Sequence, residues 1–136
     1  MALRRLAVVL AVVVAGGAAA LTSAASPRAD YLACLAPVRS VWWSNVQAGR
    51  ADLAGDVGHA TAVDNGTTYF QNLARQTCYF NPSVSYNAYE NAISGFTYVN
   101  AALSANQAGN AAAAVADGRA AATYLNVAVD ILDKGP

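Results

Sequence analysis

The chain has 136 residues with eight Lys or Arg against eight Asp or Glu, one His and two Cys, and 56% of it is hydrophobic while only 9% is aromatic. Balanced charge without a basic stripe excludes the usual nucleic-acid binder, and one histidine with two distant cysteines excludes a structural zinc site. The length fits one domain whose core comes from close packing of small aliphatic side chains rather than from rings.

Residues 1–25 read as a secretory signal. Arg4 and Arg5 supply the positive start, an apolar run extends from Leu6 to Leu21, and Ser23-Ala24-Ala25 offers small side chains for cleavage before Ser26. Cleavage after Ala20 is a second possibility, and an uncleaved anchor is the weaker reading, because the run contains Gly16-Gly17 and is short for a span of about 20 residues. Residues 26–136 are then a single helical domain with six basic and eight acidic residues and no transmembrane segment, secreted or held in the periplasm or cell envelope. Cys34 does not suit lipid attachment: Tyr31-Leu32-Ala33-Cys34 lacks the usual leucine, and Arg28 and Asp30 separate it from the apolar run. The Ala-, Val- and Gly-rich, Lys-poor composition resembles that of actinobacterial proteins.

Four segments with apolar residues at three-and-four spacing follow, separated by Gly, Asn and Pro, which predicts an all-α chain. The first helix begins with Ser26 as N-cap and Pro27 at the first position; Pro37 either kinks it or starts its main part, and Tyr31, Leu35, Val38, Trp42, Val46 and Leu53 share a face. After a break at Ala54–Gly58 the second helix carries Val57, Val63, Phe70, Leu73 and Thr77 on its stripe, and Asn81-Pro82 ends it. The third carries Tyr86, Tyr89, Ile93, Phe96, Val99 and Leu103. The fourth, after Gly109-Asn110, carries Val115, Gly118, Ala122, Leu125, Val129 and Leu132.

The cysteines fix the topology. Two thiols in an exported chain form one disulfide most simply, and Asp56, in the glycine-rich break, lies halfway between Cys34 and Cys78. Antiparallel helices folded there bring the two sulfurs to the same level, since the rise per residue is equal on both sides. The same fold pairs Trp42 with Phe70 and Val46 with Gly66, and folding the second half near residue 109 pairs Ile93 with Leu125. Two such hairpins make an antiparallel four-helix bundle with one intramolecular disulfide in the first hairpin.

His59, the lone histidine, is read as a solvated residue at a helix start with Asp56 and Asp64 near in sequence. Glu90 with Asp30, Asp130 or Asp133 is the only source of a two-carboxylate site, and these acids read as ordinary helix-surface residues. No catalytic residues, metal ligands or cofactor are expected. The topology gathers Tyr31, Tyr79, Phe80, Tyr86 and Tyr89 at the disulfide end, making either a ligand mouth with phenols at its rim or the end of the core. Adjacent helical positions point about 100° apart, so Trp42 in the core puts Trp43 at the flank, as a candidate contact surface. Asn87, Asn91 and Asn100 either hydrogen-bond between helices or face water, and the second is the preferred reading. Asn65-Gly66-Thr67 fits the N-glycosylation triplet, which is short enough to arise often by accident.

Phe80-Asn81-Pro82-Ser83-Val84 resembles the Phe and Asn-Pro-x-Val segment of small secreted mycobacterial haem-binding proteins. The resemblance departs at the cysteine, because Cys78 precedes the segment where that family's second cysteine follows it, and no histidine lies nearby as an axial ligand. Tyr86-Asn87-Ala88-Tyr89-Glu90 has the Tyr-x-x-x-Asp/Glu spacing of type VII secretion substrates, without their Trp-x-Gly and with a different leader. The chain is assigned to neither family. The expectation is a secreted, non-catalytic bundle that acts through contact with a protein or envelope component, the alternative being a carrier of a small apolar ligand, haem or lipid, at the tyrosine-rich end.

Overall fold

The computed structural model describes residues 26–136, so the leader reading lies outside the described residues. α1 (Pro27–Leu53) starts with proline at its first position behind Ser26, whose hydroxyl makes no capping bond. It runs through Pro37 as one continuous helix. α2 (Val57–Ala74) passes into one turn of wider, π-type coil at Arg75–Tyr79; α3 (Tyr86–Gln107) and α4 (Ala111–Lys134) follow, and no strand occurs among the described residues.

The chain reverses in the same way between α1 and α2 and between α3 and α4. Asp52-Leu53-Ala54-Gly55-Asp56 corresponds position by position to Asn106-Gln107-Ala108-Gly109-Asn110. Gly55 and Gly109 take φ values of +77° and +74°, a region that glycine enters without a Cβ penalty. Each glycine N–H donates at 3.0 Å to the carbonyl of the buried Asp52 or Asn106 three residues earlier. The closing residue then caps the next helix: Asp56 Oδ1 accepts from the His59 N–H at 3.0 Å and Asn110 Oδ1 from the Ala113 N–H at 3.1 Å.

Consecutive helices pack on one another and α4 also packs on α1, while α1 and α3 meet only weakly across the diagonal. The result is an antiparallel four-helix bundle of two hairpins. Both glycine turns lie at one end; the α2–α3 connection lies at the other, where Cys34 and Cys78 are bonded with their Cα atoms 4.9 Å apart. The fold about Asp56 therefore brings the cysteines together as their spacing requires.

The seams are not quite the predicted ones. α1 buries Tyr31, Leu35, Val38, Val41, Asn45, Ala48 and Asp52, and Leu53 is 69% exposed because it is rotated about 100° from the Asp52 position that continues the seam. α2 buries Ala60, Asp64, Thr67, Gln71 and Ala74, with Val63 and Phe70 on the flank. The larger apolar residues of α2 border a seam that is itself polar or small. On α4 the buried line is Ala114, Ala121, Leu125, Ala128 and Leu132, so Val115 and Val129 also stand one position off the centre. A Cβ built on Gly95 would lie 2.6 Å from Leu125 Cγ and Cδ2, which is how closely α3 and α4 approach there.

The core is consequently uneven. The disulfide half holds Leu35, Val38, Val41, Phe96, Val99, Leu125 and Leu132 around the bridge. The glycine-turn half has a separate small cluster of Ala48, Ala51 and Ala60, with Val63 against it.

Candidate functional site

The aromatic residues of the disulfide end divide by depth. Tyr31 is buried in the core, Tyr89 is half-buried, and Tyr79, Phe80 and Tyr86 are 59%, 75% and 70% exposed. Tyr79 packs edge-on against Phe80 and at 5.1 Å against Tyr89. The segment carrying Tyr79 and Phe80 is held on both sides, by buried Cys78 in its disulfide and by buried Val84, while Asn81 Oδ1 accepts from the Ser83 N–H at 3.1 Å to shape the turn between; Tyr86 and Tyr89 follow on the first turn of α3. The Glu90 carboxylate holds the Tyr86 phenol above its ordinary pKa, so the hydroxyl stays a donor. A hollow of about 150 Å³ lies between Tyr79, Tyr86, Tyr89, Asn81 and Pro82.

Trp43 is 49% exposed and touches Trp42, with ring centroids 6.0 Å apart. Trp42 does not pair with Phe70 as the sequence suggests: its indole N–H donates to Asn126 Oδ1 of α4 at 2.6 Å, over the α1–α4 seam. Val46 likewise faces α4, lining with Gly49, Leu53, Val115 and Ala122 a shallow groove of about 200 Å³.

The other sequence candidates resolve simply. His59 is exposed at the start of α2, beside a surface hollow shared with Arg50 and Asp56. Asp133 pairs with Arg39 at 3.1 Å and Asp130 with Lys134 at 2.9 Å, so neither is free to join Glu90. Asn91 bonds back to Asn87 within α3. Asn100, expected to face water, instead exchanges two hydrogen bonds with Gln71 across the α2–α3 interface, at 2.9 and 3.1 Å.

That amide pair begins a buried polar ladder that the hydrophobic pattern does not reveal. Gln71 Nε2 donates to Thr67 Oγ1 at 2.9 Å, and the Thr67 hydroxyl donates to the Asp64 backbone carbonyl at 2.7 Å. One turn further, Asn106 Nδ2 of α3 donates to Asp52 Oδ2 of α1 at 3.2 Å. Asp52, Asp64 and Asn106 are 5%, 1% and 3% exposed. Four of their oxygens, Asp52 Oδ1, both carboxylate oxygens of Asp64 and Asn106 Oδ1, meet no hydrogen-bond donor. Burial pushes the Asp64 pKa up to about 7; the Asn106 amide partly offsets this, and the Asp52 charge adds to it.

Among the described residues no group of three or more His, Cys, Asp or Glu is arranged to hold a metal ion, and no helix is long and apolar enough to cross a membrane. The disulfide is consistent with an extracytoplasmic location. No protein-family model matches the chain, and no curated protein or solved structure shows significant similarity to it.

Proposed function

We propose that the chain is a secreted, non-catalytic bundle that acts by contact with a second protein at the cell envelope, through the aromatic cap formed by Tyr79, Phe80 and Tyr86. The observation that carries this reading is three large rings, each more than half exposed: Tyr79 and Phe80 on a short connection held between the Cys78 disulfide and buried Val84, and Tyr86 just beyond that valine at the start of α3. Exposed aromatic side chains on a rigid base lose little entropy on docking and are the residue types that dominate protein contacts. Trp43, half-exposed on α1, is a further contact residue on the flank.

The size of the hollow under the cap supports contact over carriage. At about 150 Å³ it is smaller than the roughly 300–1,000 Å³ of sites that enclose haem-sized or lipid-sized ligands.

A photo-crosslinking residue at position 80, compared with one at the exposed Thr123 of α4, tests the reading in the exporting organism. A discrete protein adduct is expected from position 80 alone, competed by unlabelled protein but not by its Tyr79→Ala/Phe80→Ala/Tyr86→Ala form. Equal labelling from both positions, or none from position 80, overturns the contact surface. Saturable binding of haem or a fatty acid, read by tryptophan fluorescence or a Soret shift, replaces contact with carriage.

A further inference from the structure

The glycine-turn end of the bundle buries three polar side chains, of which Asp52 accepts one bond from Asn106 Nδ2 while Asp52 Oδ1, both Asp64 oxygens and Asn106 Oδ1 meet no donor from the protein. Each helix bordering this cluster contributes one member: Asp52 from the last turn of α1, Asp64 from α2 and Asn106 from the last turn of α3. The two hydroxyls nearest to Asp64 in sequence, those of Thr61 and Thr67, are each committed to a backbone carbonyl, and the Gln71 and Asn100 amides are committed to one another and to Thr67. Asp52 is the charged group acting on Asp64, α3 presents the neutral Asn106, and α4 stands diagonally across the ring from α2. No cation faces the cluster among the described residues. Two carboxylates buried together with one amide donor between them cannot both stay ionised at modest cost, since burial penalises each charge and each penalises the other.

We infer that Asp52, Asp64 and Asn106 form a buried proton-binding site, and that one proton taken from solvent onto the Asp64 carboxyl latches the glycine-turn end of the bundle. The carboxylic acid supplies the missing O–H donor, for which Asp52 Oδ1 and Asn106 Oδ1 are the free acceptors of the cluster. Asn106 already joins the two hairpins through Asp52, so a protonated Asp64 completes a three-helix connection where the core is only Ala48, Ala51, Ala60 and Val63. The disulfide clamps the opposite end, so loss of the proton loosens the bundle from the glycine turns.

The sign of the pH effect follows from linkage. The folded chain holds the Asp64 proton up to about pH 7, whereas the unfolded chain releases it near the ordinary value of 3.8. The stabilisation is complete below the unfolded value, is lost as pH rises toward 7, and changes no further above that. Urea unfolding of the oxidised chain at pH 5 and pH 7.5, with Asp64→Asn in parallel, reads the effect directly. The folded-to-unfolded ratio of the wild type is expected to fall roughly a hundredfold more than that of Asp64→Asn, whose amide carries its own donors at every pH. Parallel profiles overturn the site. Should Asp64→Asn not fold, a carbon-13 titration of the wild-type Asp64 carboxyl decides: a midpoint near 7 is expected, and one below 5 contradicts the inference. A calcium-dependent rise in melting temperature at pH 7.5, seen in the wild type and absent in Asp64→Asn, also overturns it and assigns the cluster to a metal ion.

Discussion

Replacing Cys34 and Cys78 together by alanine is expected to lower the unfolding free energy by about 4 kcal/mol. The two residues are 44 apart in sequence, and the bridge removes the corresponding loop-closure freedom from the unfolded chain. A domain of this size has a total stability of roughly 5–15 kcal/mol, so the bridge is a large fraction of it. The proportion is high because alanine occupies so much of the seams, including all of the buried cluster at the glycine-turn end, and each alanine removes little apolar surface from water. Urea titration of oxidised wild type against the double variant measures the difference, and a loss of less than about 1 kcal/mol would mean that side-chain packing alone sustains the bundle.

Phe96→Ala is expected to cost about 3–5 kcal/mol, the range for truncating a buried ring where the surroundings cannot collapse. Phe96 is 1% exposed, the largest fully buried side chain of the domain, and sits in the α3 seam beside Val99 and Ala92. Its ring also lies 5.8 Å from the Arg75 guanidinium, which the π-type turn at the end of α2 carries over it. Phe80→Ala is the matched control: at 75% exposure its loss should change stability by no more than about 0.5 kcal/mol. Chemical unfolding of both variants checks the pair, and equal effects would contradict the depth assigned to the two rings.

The arrangement of the helices is readable in the sequence because two independent signals agree. The glycine breaks mark the reversals, and the cysteine spacing about Asp56 requires the first hairpin to be antiparallel. The rotation of each helix is less readable. Scoring hydrophobicity places Val63 and Phe70 at the centre of α2, whereas Asp64, Thr67 and Gln71 occupy it. Thr67 and Gln71 are buried bonded to one another and to Asn100, an outcome that depends on what α3 presents at the same level, while the Asp64 carboxyl is buried without a partner. The correspondence between Asp52-x-Ala54-Gly55-Asp56 and Asn106-x-Ala108-Gly109-Asn110 was the available signal for the buried cluster. It marks two equivalent last turns at one end of the bundle, and Asp64 joins them from within α2.

Of the aromatic candidates, Tyr79, Phe80 and Tyr86 lie outside and Tyr31 inside, a division set by the turn geometry after Cys78 rather than by residue type. Trp43 follows directly from helical geometry, since Trp42 turns to Asn126 and its neighbour must point elsewhere.

Hydrogen exchange of the oxidised chain, resolved by residue at pH 7.5, tests most directly whether the bundle is clamped at its disulfide end and opens from its glycine turns. Helical amides in 48–66 and 102–118 should be protected at least roughly tenfold less than those in 34–41, 88–99 and 121–132. Uniform protection across both ends, or earlier opening around Cys34 and Cys78, would contradict the account.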